Sequence, residues 1–516
     1  MKKISLLPGI VVLATLLAAC APPVAATQAP AATSAPAPTA APAATAAPAA
    51  TAAPAATVAP APTAVPPPAA NVNSIGKKLT DDAAPSEHQV MVLAPPNPPP
   101  GARFMDIMAG VYGRGVGADL FAIPLVRLNK DFVVIPGAAK SWAVSADGKT
   151  WTFKLREDLN WSDGTPVTAN DFVASFQHIL KKETAYDFNW YFEEAAIKNF
   201  VEAENGKAKL EDVGVRAGAN AKELVFETTK SIPYLPMLML YASPMQKAAL
   251  DKYGSTYNSD PKTSVSSGPY VLAEWAENRV VVVANKNAPD DFKPFLNKVI
   301  FVTPKNQLAA YQANEVDFAR AGSAADVKVI TANPDLAKDS SQDPADFRIH
   351  YFFFDMSKPP FNNVKVRQAF AHLFDRENIL KKILPLPAGA PAYSFLAAGF
   401  PNSNMDALKS LQAYDPDAAK KLYAESGVKI SDKLVLSVRI NNAVEEAAVA
   451  MASVYADEIK KQLGIDVEVK RVPQQEFMAA VNAKPTTMNF GFISYGMDFL
   501  DPSNMLSVFR SDGRHN

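Results

Sequence analysis

Hydrophobic and polar residues alternate along the chain with two different periods, which predicts both strands and helices. Over residues 151–158 every second residue is apolar, so Trp151, Phe153 and Leu155 would share one face of a β-strand. After Thr168 the apolar spacing becomes helical, and Asp171 three residues later makes a sequence close to a capping box. The apolar positions of this predicted helix are Phe172, Val173, Phe176, Ile179 and Leu180.

Two later segments carry equally regular patterns. The nearly continuous apolar run over residues 279–287 predicts a buried strand. Residues 363–384 predict one long helix with a helical-period apolar face. The inward positions of that helix are Val366, Ala369, Phe370, Leu373 and Phe374.

Helix boundary signals continue toward the end of the chain. Asp415 has the character of an N-cap, Pro416 suits the first helical position, and Gly427 follows the last turn. Another helix over residues 454–463 is expected to stop at Gly464, before a strand resumes. Strands and helices thus alternate through the body, which predicts an α/β fold.

The first twenty residues have the pattern of an export signal. Lys2 and Lys3 precede a short apolar core, and "LAAC" ends at Cys20. This pattern predicts a lipoprotein signal over 1–20, with Cys20 as the lipidated residue; an ordinary secretory signal is the alternative. Residues 21–72, which are mostly Ala, Pro and Thr, predict a disordered tether, with a pro-peptide as the alternative.

Composition bounds what the rest of the chain can be. About 445 residues remain, more than one hydrophobic core usually supports, so two or three lobes are expected. Lys and Arg total 51 against 52 Asp and Glu, so no basic excess points to nucleic acid. Because Cys20 is the only cysteine, the mature chain has no intramolecular disulfide and no thiol nucleophile apart from the predicted anchor.

The sequence contains no motif that requires catalysis. It has no G-x-S-x-G, no H-E-x-x-H and no phosphate-binding loop. Gly113 and Gly115 are not followed by a glycine at position 118, where a dinucleotide-binding fingerprint has its third glycine. This stretch predicts a turn, as does "WSDG" at 161–164. The five histidines have no metal-ligand spacing. We therefore expect neither a metal nor a cofactor, and no enzyme activity.

Several stretches together resemble one family. The sequence is similar to the large extracytoplasmic solute-binding proteins of peptide and nickel importers, solute-binding protein family 5, and most of all to their oligopeptide-binding members. The stretches that carry the resemblance run from about residue 125 to near the end: "LVRLNKDFVVIPGAAKSWAVSADGKTWTFKLREDLNWSDGTPVTANDFVASFQ", "SSGPYVLAEW", "PPFNNVKVRQAFAHLFDRENIL", "GAPAYSF", "YDPDAAKKLYAESG" and "YGMDFLDP".

The resemblance implies a two-lobed fold of the type II periplasmic-binding-protein kind, with an extra domain beside the first lobe. We expect a first lobe from 73–121 and 247–345, an extra domain over 122–246, and a second lobe over 346–516. Hinge closure of the lobes would trap a ligand between them. Family members usually continue beyond the point where this chain ends, so the resemblance implies a truncated second lobe.

The resemblance also implies a set of ligand-binding residues. The aspartate corresponding to Asp498 pairs with a peptide's amino terminus in peptide-binding members; a cap of a turn or helix before Pro502 is the alternative for Asp498. Asp501 is expected to cap the segment that starts at Pro502. The strand over 350–356 would hold the peptide main chain by edge pairing. The predicted ligand-binding residues are Asp498, Tyr495, Tyr351, Phe352 and Phe353.

Two departures from the family leave the ligand's length and class open: Tyr495 stands where many peptide binders have Trp, and Phe492 stands where some have Arg. The expected partners are a peptide ligand, and the permease and ATPase subunits of an importer. The protein would be a monomer anchored by lipid at the outer face of the cytoplasmic membrane, on the cell surface or in the periplasm. The same scaffold binding an oligosaccharide, or an extracytoplasmic hydrolase, are the alternative functions.

Overall fold

The computed structural model describes residues 71–94, 105–111, 114–321, 323–341, 347–383, 389–440, 445–483 and 485–510. The predicted lipoprotein signal with Cys20, and the tether up to residue 70, lie outside these residues. The described body begins with a short bridge between Val72 and Lys78. Among the described residues, no helix combines the length and the apolar character needed to cross a membrane.

Fifteen strands and fifteen α-helices make up the described body. The strands are β1 (Val90–Ala94), β2 (Val126–Leu128), β3 (Val134–Pro136), β4 (Ala139–Val144), β5 (Thr150–Leu155), β6 (Val215–Ala217), β7 (Glu223–Glu227), β8 (Tyr270–Ala276), β9 (Arg279–Ala284), β10 (Lys298–Val302), β11 (Phe318–Ala319), β12 (Ile349–Phe354), β13 (Leu434–Ile440), β14 (Val467–Pro473) and β15 (Phe490–Tyr495). The helices are α1 (Ala169–Ile179), α2 (Asn189–Glu193), α3 (Phe200–Glu204), α4 (Leu235–Leu238), α5 (Lys247–Tyr253), α6 (Gln307–Gln312), α7 (Ala324–Ala332), α8 (Pro334–Asp339), α9 (Val364–His372), α10 (Arg376–Ile383), α11 (Met405–Leu408), α12 (Pro416–Ser426), α13 (Glu445–Leu463), α14 (Gln474–Asn482) and α15 (Pro502–Leu506).

The strands form three main sheets and a two-stranded ribbon. Sheet A has the order β11–β1–β10–β9–β8, in which β1 is parallel to both of its neighbours. Sheet B has the order β4–β5–β7–β6 and is antiparallel throughout, and β2 and β3 form the ribbon. Sheet C has the order β12–β15–β13–β14 and mixes antiparallel and parallel pairs.

Each sheet draws its strands from one of the segments that the sequence assigned to a separate lobe. Sheet A uses strands from the two pieces of the expected first lobe, sheet B and the ribbon lie within 122–246, and sheet C lies within 346–516. The boundaries of the lobes themselves stay a prediction. In sheet A the neighbours β1 and β10, and in sheet C the neighbours β12 and β15, are far apart in sequence, so each of these sheets forms only when distant segments meet.

The local predictions agree with the structure where short-range interactions dominate. In β5 the residues Trp151, Phe153 and Leu155 are all buried on one face. Helix α1 has the predicted capping box, because the Thr168 side chain accepts from the N3 backbone and Asp171 accepts from the Thr168 N–H. The Asp415 side chain caps α12, and α13 stops before Gly464, whose φ is +72°.

The single helix predicted over 363–384 is wrong, because the structure has two helices there, α9 and α10. The carbonyl of His372 accepts a hydrogen bond from the Asp415 N–H at 2.9 Å, so the α9 ladder ends. The Asp375 carboxylate then accepts from the Asn378 N–H at 3.2 Å, which starts the next helix. The N-cap residue of α12 thus ends α9, although the apolar pattern of the sequence continues.

Candidate functional site

Strand β12 lies at one edge of sheet C. It pairs antiparallel with β15, so that Ile349 stands opposite Tyr495 and Phe354 stands opposite Phe490. Among the described residues, no strand pairs with the other edge of β12. An open edge of this kind offers main-chain donors and acceptors to an added strand.

The register shows which main-chain groups face that open edge. The Asp355 N–H donates to the Asn489 carbonyl at 2.8 Å, and these residues continue the β12–β15 register. Hydrogen-bonded and non-hydrogen-bonded pairs alternate along an antiparallel ladder. The N–H and C=O groups of His350, Phe352 and Phe354 therefore point away from β15, toward the open edge.

The aromatic side chains of β12 pack against their own lobe. The Phe352 ring lies 4.6 Å from the ring of Tyr455, within the core that covers one face of sheet C. On the opposite face, Tyr351 meets Phe395 edge-on at 4.9 Å, and Phe353 joins a smaller apolar cluster. All three predicted ligand-binding side chains on β12 are half-buried in these clusters. A ligand bound along β12 would therefore contact the main chain of the strand more than these aromatic side chains.

Asp498 lies in the loop that follows β15, and the side chains of Tyr495 and Asn504 form hydrogen bonds with it. The Tyr495 hydroxyl donates to Asp498 Oδ2 at 3.1 Å. The amide of Asn504 donates to the same oxygen at 3.3 Å, and its carbonyl oxygen accepts from the Asp498 N–H at 2.8 Å. The structure thus brings together Tyr495 and Asp498, two of the residues that the sequence predicted.

Asp501 and Asp498 have different local roles. The Asp501 side chain accepts from the Ser503 N–H at 2.8 Å and caps α15, as predicted. Pro502 occupies the first position of that helix, which suits its missing N–H. The N-cap of α15 is Asp501 and not Asp498, and a role of Asp498 in a turn before Pro502 stays an alternative.

Phe499 anchors the Asp498 loop in a different part of the protein. Its side chain is 1% exposed and belongs to a core whose other described buried members all lie between Met108 and Tyr257. The ring stacks on Tyr234 at 5.8 Å and 12°, and meets Tyr191 edge-on at 6.0 Å and 78°. The loop that carries Asp498 therefore touches both sheet C's segment and the segment that contains sheet B.

The contact between Phe499 and Tyr191 brings the Asp498 carboxylate close to the buried Tyr191 phenol. Burial raises the pKa of Tyr191 well above its usual range, and the nearby Tyr241 and the Asp498 carboxylate act in the same direction. A phenol that stays neutral keeps its hydrogen-bond donor. Tyr191 donates to the Met237 carbonyl at 3.4 Å.

Two arginines near the site were not predicted from the sequence. A Cβ atom on Gly496 would lie 2.6 Å from Arg348 Nη2, so the glycine leaves room for that guanidinium beside the loop. The Arg439 guanidinium donates to the Ser494 hydroxyl at 3.0 Å. A glycine between Tyr495 and Met497 is the one sequence signal that could have indicated this close approach.

The described residues do not assemble a metal site, since among them no three histidine, cysteine, aspartate or glutamate side chains converge. Around Asp498 the structure provides a carboxylate, a phenol and a primary amide. This set can accept hydrogen bonds from, and pair electrostatically with, a cationic group.

Comparison with known sequences identifies the class of protein to which this fold belongs. The family model for bacterial extracellular solute-binding proteins, family 5 middle, matches residues 133–516. The chain belongs to this family. The expected resemblance is thereby confirmed.

Individual relatives are similar over most of their length. The periplasmic murein peptide-binding protein MppA of Escherichia coli is 31% identical over 411 residues, which cover 76% of this chain and 72% of MppA. The periplasmic oligopeptide-binding protein OppA of Salmonella typhimurium is 29% identical over 426 residues, 79% of this chain and 75% of OppA. Another similar protein of E. coli, YgiS, is named as a probable deoxycholate-binding periplasmic protein and is 28% identical, over 77% of this chain and 74% of YgiS.

Solved structures agree on the fold. The murein tripeptide binding protein MppA of E. coli superposes with a TM-score of 0.64 at 27% identity, over 83% of each chain. The OppA of Burkholderia pseudomallei superposes with a TM-score of 0.65 at 24% identity, over 83% of this chain and 84% of that one. The prediction of an α/β fold of the two-lobed type II periplasmic-binding-protein class is confirmed.

Proposed function

We propose that this protein captures peptides outside the cytoplasm and delivers them to the permease of an ATP-driven importer. The observation that carries the proposal is the half-buried Asp498 carboxylate, held in the loop that follows β15, the strand paired with β12. The peptide's α-ammonium group would pair with Asp498, and its main chain would bond the outward-facing groups of β12. Main-chain pairing accepts many side chains, which suits a transporter of varied peptides.

The names of similar proteins support this proposal. MppA and OppA are named as binding proteins for murein peptide and for oligopeptides. YgiS, named as a probable deoxycholate-binding protein, is 28% identical, so the ligand class of this chain rests on its own site. A half-buried carboxylate that accepts hydrogen bonds from a phenol and an amide can pair with a ligand ammonium group, which favours an amine-bearing ligand over an oligosaccharide. We propose a binding protein rather than an enzyme.

The setting of the protein is also part of the proposal. We propose that Cys20 carries a lipid anchor and that residues 21–72 act as a tether. The protein would then work as a monomer at the outer face of the cytoplasmic membrane. Its support is the sequence of the first 72 residues.

The test compares two peptides that differ only at the amino terminus. Calorimetry would measure binding of a free-amine peptide and of its N-acetylated twin to the wild type and to Asp498→Ala. Removing one member of a buried charge pair typically costs about 2–5 kcal/mol, so Asp498→Ala should bind the free-amine peptide ~30-fold or more weakly. The wild type should prefer the free amine, and the variant should lose that preference.

Asp415→Ala is the matched control, because it removes a carboxylate that caps a different helix, α12, and lies outside the Asp498 loop. It should lower thermal stability and keep the preference for the free amine. If Asp498→Ala folds and still discriminates between the two peptides, the amine is bound elsewhere and the proposal fails.

A further inference from the structure

Asn504 is a buried amide that contacts the candidate binding loop at several atoms. It lies on α15, and its residue surface is 2% exposed. Its oxygen accepts from the Asp498 N–H at 2.8 Å. Its nitrogen lies 3.3 Å from Asp498 Oδ2 and, at the limit of a hydrogen bond, 3.5 Å from the Tyr495 hydroxyl.

The main chain decides which way this amide points. A backbone N–H can only donate, so the atom of Asn504 that faces the Asp498 N–H must be the acceptor oxygen. The amide nitrogen is then directed at the carboxylate of the same residue. One side chain thus fixes both the backbone and the carboxylate of Asp498.

The amide also sits between two rigid supports. Helix α15 is capped by Asp501, and the Asn504 N–H donates to the Asp501 carbonyl at 2.9 Å. On the other side, Phe499 is inserted into the core beside Tyr191 and Tyr234. Asn504 therefore attaches Asp498 to the capped helix α15. The buried ring of Phe499 gives the same short loop a second support.

We propose that Asn504 is a positioning residue that sets the specificity of the site for a cationic amino terminus. This inference rests on the proposed function, because it assumes that Asp498 receives the ligand's ammonium group. A carboxylate accepts hydrogen bonds at two oxygens, so the bond from Asn504 orients the group and leaves it able to accept from a ligand as well. The hydrogen bond from the neutral amide also stabilises the negative charge of the Asp498 carboxylate and leaves that charge in place.

The variant Asn504→Leu keeps the size of the side chain and removes its donor and its acceptor. A hydrogen bond to a charged group contributes more free energy than one between neutral groups. Its loss should therefore lower the affinity for a free-amine peptide about tenfold or more. The affinity for the N-acetylated peptide should change by less than about twofold, because that ligand does not use the charge of Asp498. The ratio of the two affinities is the readout, and a purely structural role would not move it.

Asn285→Leu is the matched control. Asn285 is also 2% exposed, and its side chain also both donates and accepts: it donates to the Gly268 carbonyl and accepts from the Asn287 N–H. It lies far along the chain from Asp498, just after β9. Its variant should lower the melting temperature and leave the ratio of affinities at the wild-type value. Asn504→Ala, which introduces no clash, repeats the test if the leucine variant does not fold.

The outcomes separate this inference from the proposed function. If the wild type shows no preference for the free amine, the proposed function fails and the role of Asn504 fails with it. If the wild type discriminates and both Asn504 variants keep its ratio of affinities, the function stands and the positioning role is refuted. A fall in the ratio in Asn285→Leu as large as in Asn504→Leu would likewise refute it, since general destabilisation would then explain the effect.

Discussion

Replacing Phe499 with alanine should destabilise the protein strongly, although this residue lies in a loop. The side chain is 1% exposed and contacts two tyrosine rings, Tyr234 and Tyr191. Truncating a buried phenylalanine costs about 3–5 kcal/mol, from lost transfer free energy and from the cavity that remains. The two aromatic pairs place Phe499→Ala toward the upper part of that range, since each adds about 0.5–1.5 kcal/mol beyond burial.

The consequence should extend beyond stability to ligand binding. Phe499 follows Asp498 directly and attaches its loop to a core made of residues from Met108 to Tyr257. Without the ring, the loop loses the contact that holds it to the segment of sheet B. The affinity for a free-amine peptide should therefore fall at temperatures where the variant is still folded.

The assay is urea denaturation followed by tryptophan fluorescence, with calorimetry of the folded variant. Phe295→Ala is the control, because that ring is 52% exposed. A half-exposed surface side chain should cost about 1 kcal/mol or less. The reasoning is refuted if Phe499→Ala lowers the free energy of unfolding by no more than Phe295→Ala does.

Two further predictions concern a buried carboxyl group and the expected anchor. Burial raises the pKa of Asp106 to about 7, while hydrogen bonds from the Met108 N–H and the Asn258 amide oppose the rise. The folded protein then binds one more proton than the unfolded chain between about pH 4 and pH 7, so this group's contribution to stability is lost as pH rises through that window, by up to about 4 kcal/mol. Asp106→Asn should flatten this dependence in denaturation curves at pH 4–8, and parallel curves for both proteins would contradict the assignment. Cys20→Ala should release the exported protein from membranes in a fractionation experiment, and continued membrane attachment would show that the anchor is elsewhere.

Interactions between near neighbours in sequence were the ones that could be predicted. The period of two in β5 placed Trp151, Phe153 and Leu155 on one buried face, because successive strand residues point to opposite sides. The caps at Thr168, Asp415 and Asp501 were readable because a capping side chain bonds an N–H two or three residues away. The resemblance to a family supplied the fold class, which these local signals alone could not.

Contacts between distant residues were beyond the sequence patterns. The apolar spacing over 363–384 continues unbroken, yet the helix ends where the carbonyl of His372 accepts from the Asp415 N–H. The edge position of β12 depends on its neighbour β15, more than 130 residues later. A local repeat of apolar residues cannot predict either contact, because each of the contacting segments could equally have paired with another segment of the chain.

The candidate site shows the same division at the scale of single side chains. The sequence determined that Asp498 has apolar neighbours and that Asp501 caps α15. Only the tertiary structure decided that Asn504 fixes the backbone and carboxylate of Asp498, and that Phe499 lies among residues 108–257. The physical reason is that a buried amide or ring is selected by the shape and polarity of the space around it, and that space is made by segments far apart in the chain.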